Sequence, residues 1–74
     1  MHIIKPGQKH NFSQGSPELA VTNIGSGSTT YTIKIGEHKT KKKTLNGAGA
    51  METYENVRYP VEIDNLGPDK IQVS

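Results

Sequence analysis

Apolar and polar residues alternate along much of this chain, the pattern of strands that bury one face of a sheet. The alternation is clearest in two segments that nearly repeat each other, Leu19-Ala-Val-Thr-Asn-Ile-Gly25 and Val61-Glu-Ile-Asp-Asn-Leu-Gly67. Each segment ends in Asn, one aliphatic residue and Gly, and Asn and Gly supply the positive φ that a tight reversal needs. We therefore expect two similar strands with similar turns.

Eight short strands are predicted, because Gly or Pro interrupts most windows long enough to show a helical period. They are His2 to Lys5, Lys9 to Phe12, Glu18 to Asn23, Ser28 to Ile35, Lys41 to Leu45, Met51 to Tyr54, Pro60 to Asn65 and Lys70 to Val73. Their near-regular spacing predicts a single all-β domain over residues 1–74, a small antiparallel β-sandwich or a jelly-roll-like barrel.

Strands that follow each other in sequence are predicted to pair as two antiparallel hairpins. The first joins the third and fourth strands across the Gly-rich connection Ile24–Ser28, and the second joins the seventh and eighth strands across Leu66–Asp69. A further turn is expected at Asn46-Gly47 between the fifth and sixth strands, with Gly49 and Ala50 permitting a close approach of the backbone.

The composition predicts a small core. Ile, Leu, Val and Phe together make up 15 of the 74 residues, while the formal net charge of +2 is too low to indicate disorder. The chain has no Cys, so disulfides cannot supplement this core. We therefore expect a homo-oligomer or a larger protein assembly.

The densest charge cluster is basic and consists of His38, Lys39, Lys41, Lys42 and Lys43. In an extended segment Lys41 and Lys43 project from one face and Lys42 from the other. One hypothesis is that the cluster binds an anionic ligand such as a nucleic acid. The favoured alternative is a solvated edge strand whose lysines prevent aggregation between sheets, since no aromatic residues for base stacking lie nearby.

Neither a metal site nor a phosphate loop is predicted. The spacing of His2, His10 and His38 matches no local ligand pattern, so we expect exposed histidines. Gly25-Ser-Gly27 and Gly47-Ala-Gly49 resemble phosphate loops in composition, but strand-like sequence follows each of them instead of a helix. The sequence also nominates no nucleophile and base, so we expect no catalytic residues and no cofactor.

Three of the four aromatic residues are tyrosines. Tyr31 is predicted to lie in the core with its hydroxyl at the edge of the sandwich. Tyr54 and Tyr59 flank a polar loop that contains Arg58, and amphipathic rings beside an Arg are typical of binding hot spots. The alternative, equally weighted, is a rim that covers the end of the core.

The order of apolar strands, Asn-x-Gly turns and a Tyr-containing strand extends over roughly residues 19–73. The residues that carry it are Val21, Asn23, Gly25, Tyr31, Ile33, Leu45, Gly47, Ile63, Asn65, Gly67 and Val73. In this order the chain resembles bacterial and phage immunoglobulin-like sandwich modules. The resemblance implies a role in adhesion, assembly or display, and it carries no catalytic residues.

Together these observations predict a non-enzymatic binding or assembly module that associates with itself in a phage particle or as a bacterial surface accessory protein. The alternative is an oligomer that binds a nucleotide-like anion or a polyanion through Lys39–Lys43 and the Gly-rich loops. No apolar run is long enough to span a bilayer or to serve as a secretory signal, which predicts a soluble protein. The resemblance implies a setting in the phage particle, the host cytoplasm or the cell surface.

Overall fold

The computed structural model describes residues 2–74, which form eight strands and no helix. The strands are β1 (His2–Ile4), β2 (Lys9–Phe12), β3 (Leu19–Asn23), β4 (Thr29–Ile35), β5 (Lys41–Leu45), β6 (Met51–Tyr54), β7 (Val61–Gly67) and β8 (Ile71–Val73). Each predicted strand is confirmed to within two residues at both ends.

The strands form two antiparallel sheets of four that pack face to face. Sheet I has the order β1-β8-β3-β6 and sheet II has the order β2-β7-β4-β5. Among the described residues, β4 and β5 are the only consecutive strands that share a sheet, and every other connection crosses from one layer to the other. This confirms the predicted all-β sandwich and gives it the connectivity of a jelly roll.

Both predicted hairpins are wrong. The third strand, β3, pairs with β6 and β8, whereas β4 pairs with β5 and β7. The strands of one predicted hairpin therefore pair with those of the other: Val21 lies opposite Val73, and Ile33 lies opposite Ile63. Alternation identifies the apolar face of a strand but not its neighbour. Because the chain crosses between the layers, the apolar faces of β3 and β4 pack against each other. In a hairpin both strands would lie in one sheet, and a second sheet would have to cover their apolar faces.

The core lies between the sheets, and over residues 2–74 it contains eleven buried apolar residues. They are Ile4, Leu19, Val21, Tyr31, Ile33, Leu45, Val57, Val61, Ile63, Ile71 and Val73. All except Val57 lie on strands, at the positions that the alternation assigns to the inner face. The prediction that Tyr31 belongs to the core is confirmed.

The asparagines of the two repeats are fully buried. The side-chain oxygen of Asn23 accepts a hydrogen bond from the N–H of Gly25, and that of Asn65 accepts one from the N–H of Gly67, both at 2.9 Å. Each asparagine thus forms an Asx turn, in which the side chain stands in for a backbone acceptor. The expectation of positive φ is confirmed for Gly67 but is wrong for Gly25 and for both asparagines.

Gly25 meets a steric requirement instead. A Cβ atom at this position would overlap the Cβ of Asp69, so a larger residue has no room. The turn after β5 follows the prediction more closely: Gly47 has positive φ, and the N–H of Gly49 donates to the carbonyl of Asn23 at 2.8 Å. This turn connects the two sheets.

Candidate functional site

The basic cluster lies on an exposed edge of the sandwich. β5 is the last strand of sheet II, and Lys41, Lys42 and Lys43 on this strand are all exposed. In the pairing with β4, Lys43 lies opposite Tyr31 and Lys41 opposite Ile33, both of which face the core. Lys41 and Lys43 thus lie on the core side of the sheet, at its open margin, and Lys42 lies on the outer side.

A cavity of about 350 Å³ opens between the sheets at this margin. His38 and Lys39 from the β4–β5 connection line it together with Lys41. Tyr54 at the end of β6 and Val57 in the following loop line it from sheet I. The structure therefore brings together parts of two regions that the sequence predicted separately, the lysine cluster and the tyrosine-flanked loop. Lys42, Lys43, Arg58 and Tyr59 do not line this cavity.

The tyrosines beside the loop are held by internal hydrogen bonds. The hydroxyls of Tyr54 and Tyr31 are 2.6 Å apart, and the Tyr59 hydroxyl donates to the carbonyl of Ser16 at 2.8 Å. Burial raises the pKa of both Tyr31 and Tyr54 above the ordinary value, so both hydroxyls stay protonated at neutral pH. Tyr54 and Tyr59 are half-buried against the core, while Arg58 between Val57 and Tyr59 is exposed.

The Gly-rich turns lie at the opposite end of the strands from Lys39. The first of them is already occupied, because the N–H of Gly27 donates to the Asp69 carboxylate at 2.7 Å. A residue of the chain itself thus takes the place that an external anion would occupy. Within one subunit the structure does not bring Gly25 or Gly47 near Lys39, although the anion-binding alternative combined them.

Two of the histidines are brought together, and the expectation that they are exposed is wrong. The rings of His2 and His10 are half-buried, with centroids 3.8 Å apart, and His10 packs edge-on against Phe12. His2 belongs to sheet I and His10 to sheet II, so the contact between their rings bridges the two sheets at the margin between β1 and β2. His38 is exposed, as expected. In residues 2–74 no group of three or more potential metal ligands gathers.

The outer faces of the two sheets differ in charge. On sheet I the outward strand residues are Ile3, Ala20, Thr22, Met51, Thr53 and Gln72, none of which is charged. On sheet II they include Lys9, Lys34, Lys42, Glu62 and Asp64. Lys9 and Glu62 form an ion pair at 3.0 Å, and the hydrogen bond to Glu62 raises the pKa of Lys9.

The uncharged face was not identified from the sequence. It depends on cross-strand pairing: Ile3 lies opposite Gln72, Gln72 opposite Thr22, and Thr22 opposite Met51, which together form one row across sheet I. The ends of this row are exposed, Ile3 at 48% and Met51 at 57%. The signal in the sequence is the absence of Lys and Arg from the four strands, which becomes informative only when those strands are known to be neighbours.

Comparison with protein-family models, curated proteins and solved structures finds no match to this chain. The resemblance to immunoglobulin-like modules therefore stays a prediction. Over residues 2–74 no helix is long and apolar enough to cross a membrane.

Proposed function

We propose that this protein is a non-enzymatic assembly module that associates with a second copy of itself through the outer face of sheet I. The observation that carries the proposal is the charge difference between the two outer faces. Two uncharged faces can approach without desolvating a charged group or placing like charges together, whereas two copies of sheet II would oppose charged side chains.

The exposed apolar residues on this face support the same proposal. Ile3 and Met51 lie at opposite edges of sheet I, with polar but uncharged Thr22 and Gln72 between them. Interface cores are depleted of charge and enriched in Met, and burial of apolar area supplies their driving force. The small core gives association a further physical reason, since a short chain buries a limited fraction of its surface when it folds alone.

The setting proposed for this association is a phage particle or a bacterial surface structure, as the sequence resemblance implies. In either setting many copies are held close together, so a weak contact between small faces is sufficient for assembly.

Sedimentation equilibrium tests the proposed interface. We expect the wild-type protein to form dimers or larger species below about 1 mM, the concentration that corresponds to roughly 4 kcal/mol of association free energy. The double variant Ile3→Lys/Met51→Lys places two charges on edge strands of sheet I and is expected to remain monomeric.

The matched control is Asn11→Lys/Thr44→Lys, which adds the same charge to the outward side of the edge strands of sheet II. This control should associate like the wild type. A wild-type chain that stays monomeric, or a control that loses association to the same extent as the sheet I variant, contradicts the proposal.

A further inference from the structure

The two margins of the sandwich, between β1 and β2 and between β5 and β6, differ in the residues that line them. Between β1 and β2 the rings of His2 and His10 are in contact, and the cavity of about 320 Å³ beside them has a mainly polar lining. Between β5 and β6 the gap remains open as the cavity of about 350 Å³, which lies in the size range of small-molecule sites. The β5–β6 margin is therefore one place where this fold has room for a ligand.

The inner wall of this cavity is apolar. Ile33 and Val57 are core residues that also line the cavity, and the half-buried Ile35 lies beside them. The Tyr54 ring completes the wall, while its hydroxyl is already engaged by Tyr31. A compact apolar or aromatic body placed here would cover the accessible parts of Ile35 and of the Tyr54 ring, and burial of apolar surface is the main source of affinity in such sites.

The rim of the cavity is basic. His38, Lys39 and Lys41 are exposed and line one side, and Glu55 is the one carboxylate among the lining residues. Lysine ammonium groups on flexible stems bind carboxylates and phosphates as point charges. The positive charge of the rim therefore favours a ligand whose apolar part contacts the inner wall and whose anionic group points toward the rim.

We propose that the cavity between β5 and β6 binds a small molecule that carries one anionic group on a compact apolar or aromatic body. The apolar body contacts Ile33, Ile35 and Val57, and the anionic group contacts Lys39 and Lys41. This inference is independent of the proposed self-association, which uses the outer face of sheet I. It also differs from the combination of lysines and Gly-rich turns predicted from the sequence, because Asp69 already occupies the first of those turns.

Titration of the ¹⁵N-labelled protein with 1-naphthoate, followed by amide chemical shifts, tests the site. We expect saturable shifts in residues 33–41 and 53–57 and none with acetate at the same concentrations, because acetate lacks the apolar body. Adenosine monophosphate is the second probe. If adenosine monophosphate causes saturable shifts at the cavity and 1-naphthoate does not, the proposal is supported and the ligand is of the nucleotide class.

Matched variants distinguish binding in the cavity from non-specific electrostatic attraction of the anionic probe to the lysine cluster. Lys39→Gln/Lys41→Gln should weaken binding of the effective probe about threefold to tenfold, as expected for two exposed charges. Lys42→Gln/Lys43→Gln removes the same charge from residues outside the lining and should leave binding unchanged. Glu55→Gln should strengthen binding about twofold by removing the opposing carboxylate.

Two results would overturn the proposal. One is that neither 1-naphthoate nor adenosine monophosphate causes saturable shifts at the cavity. The other is that the two double lysine variants lose affinity to the same extent. Dispersion of the amide spectrum shows that each variant is folded, and sedimentation of the same samples measures self-association separately.

Discussion

At the scale of single residues, the two buried asparagines do more than form turns. Each accepts a hydrogen bond from the N–H two residues ahead and uses its amide group to bind a distant carbonyl. Asn23 donates to the carbonyl of Leu45, and Asn65 donates to that of Ile4 at 2.9 Å. A single side chain thus fixes a local turn and attaches it to another strand.

Asn65 is expected to be among the most sensitive positions for stability. It also accepts a hydrogen bond from the Thr29 hydroxyl and donates to the carbonyl of Asp69. Replacing Asn65 with Ala leaves several buried polar groups without partners and should lower the free energy of unfolding by about 3 kcal/mol. Urea denaturation followed by circular dichroism measures this loss.

The matched control is Asn11→Ala, at an exposed position of β2, which should change the unfolding free energy by less than about 0.5 kcal/mol. If the two variants lose the same stability, the hydrogen bonds of Asn65 do not have the role assigned here.

The position of these asparagines could be predicted from the sequence, but their burial could not. An Asn-x-Gly sequence indicates a turn because the Asn side chain readily bonds nearby backbone groups. Whether that turn lies at the surface or within the protein depends on the strands that pass beside it. Those neighbours, including the β5 end at Leu45, come from distant parts of the chain.

At the scale of strands, the alternation and the turn residues between segments were together sufficient to locate all eight elements, and the alternation gave the inward face of the clearest ones. It identifies Tyr31, Ile33 and Ile35 as one face of β4, and the structure places all three on the core side. Partner choice was predicted wrongly because it depends on how the connections cross between layers, and similar connections can join strands in one sheet or in two. The cavity could not be foreseen for the same reason: it requires β5 and β6 to face each other across the gap.

The lysines of β5 are expected to keep its free edge from pairing with other chains. Replacing Lys41, Lys42 and Lys43 together with Thr, a residue with high strand propensity, should cause aggregation at neutral pH. The unfolding free energy should change by less than about 0.5 kcal/mol, because all three side chains are exposed. Light scattering of the folded protein, with stability measured in parallel, distinguishes edge pairing from aggregation through unfolding.

The corresponding triple Arg variant retains the charge and should scatter no more light than the wild type. If the Thr variant stays as soluble as the Arg variant, the lysines are not needed to protect this edge.

At the scale of the whole molecule, the sheets are built from strands that are far apart in sequence. β1 pairs with β8, and β2 pairs with β7, so both ends of the chain are required before either sheet is complete. The β4–β5 hairpin is the exception within residues 2–74. The cost of closing long loops must be met before the native contacts form.

This topology predicts slow folding for so short a chain. Refolding should take on the order of milliseconds to seconds, as in other small proteins dominated by non-local strand pairing. Stopped-flow measurement of tyrosine fluorescence is suitable, because the chain has three Tyr and no Trp. The rate should not depend on protein concentration, which separates folding from association, and folding within microseconds would contradict the prediction.

The pairing of strands from distant parts of the chain has a consequence for cleavage and substitution. Because β3 lies beside β8 and β4 lies beside β7, the strands β3 and β4 each depend for pairing on a strand from the C-terminal part of the chain. A protease cut in the largely exposed segment 46–50 would leave two fragments in which, among the strands of residues 2–74, only the β4–β5 pairing survives. Such fragments would regain order by complementing each other, and a substitution in one would be compensated most directly by a change in the other.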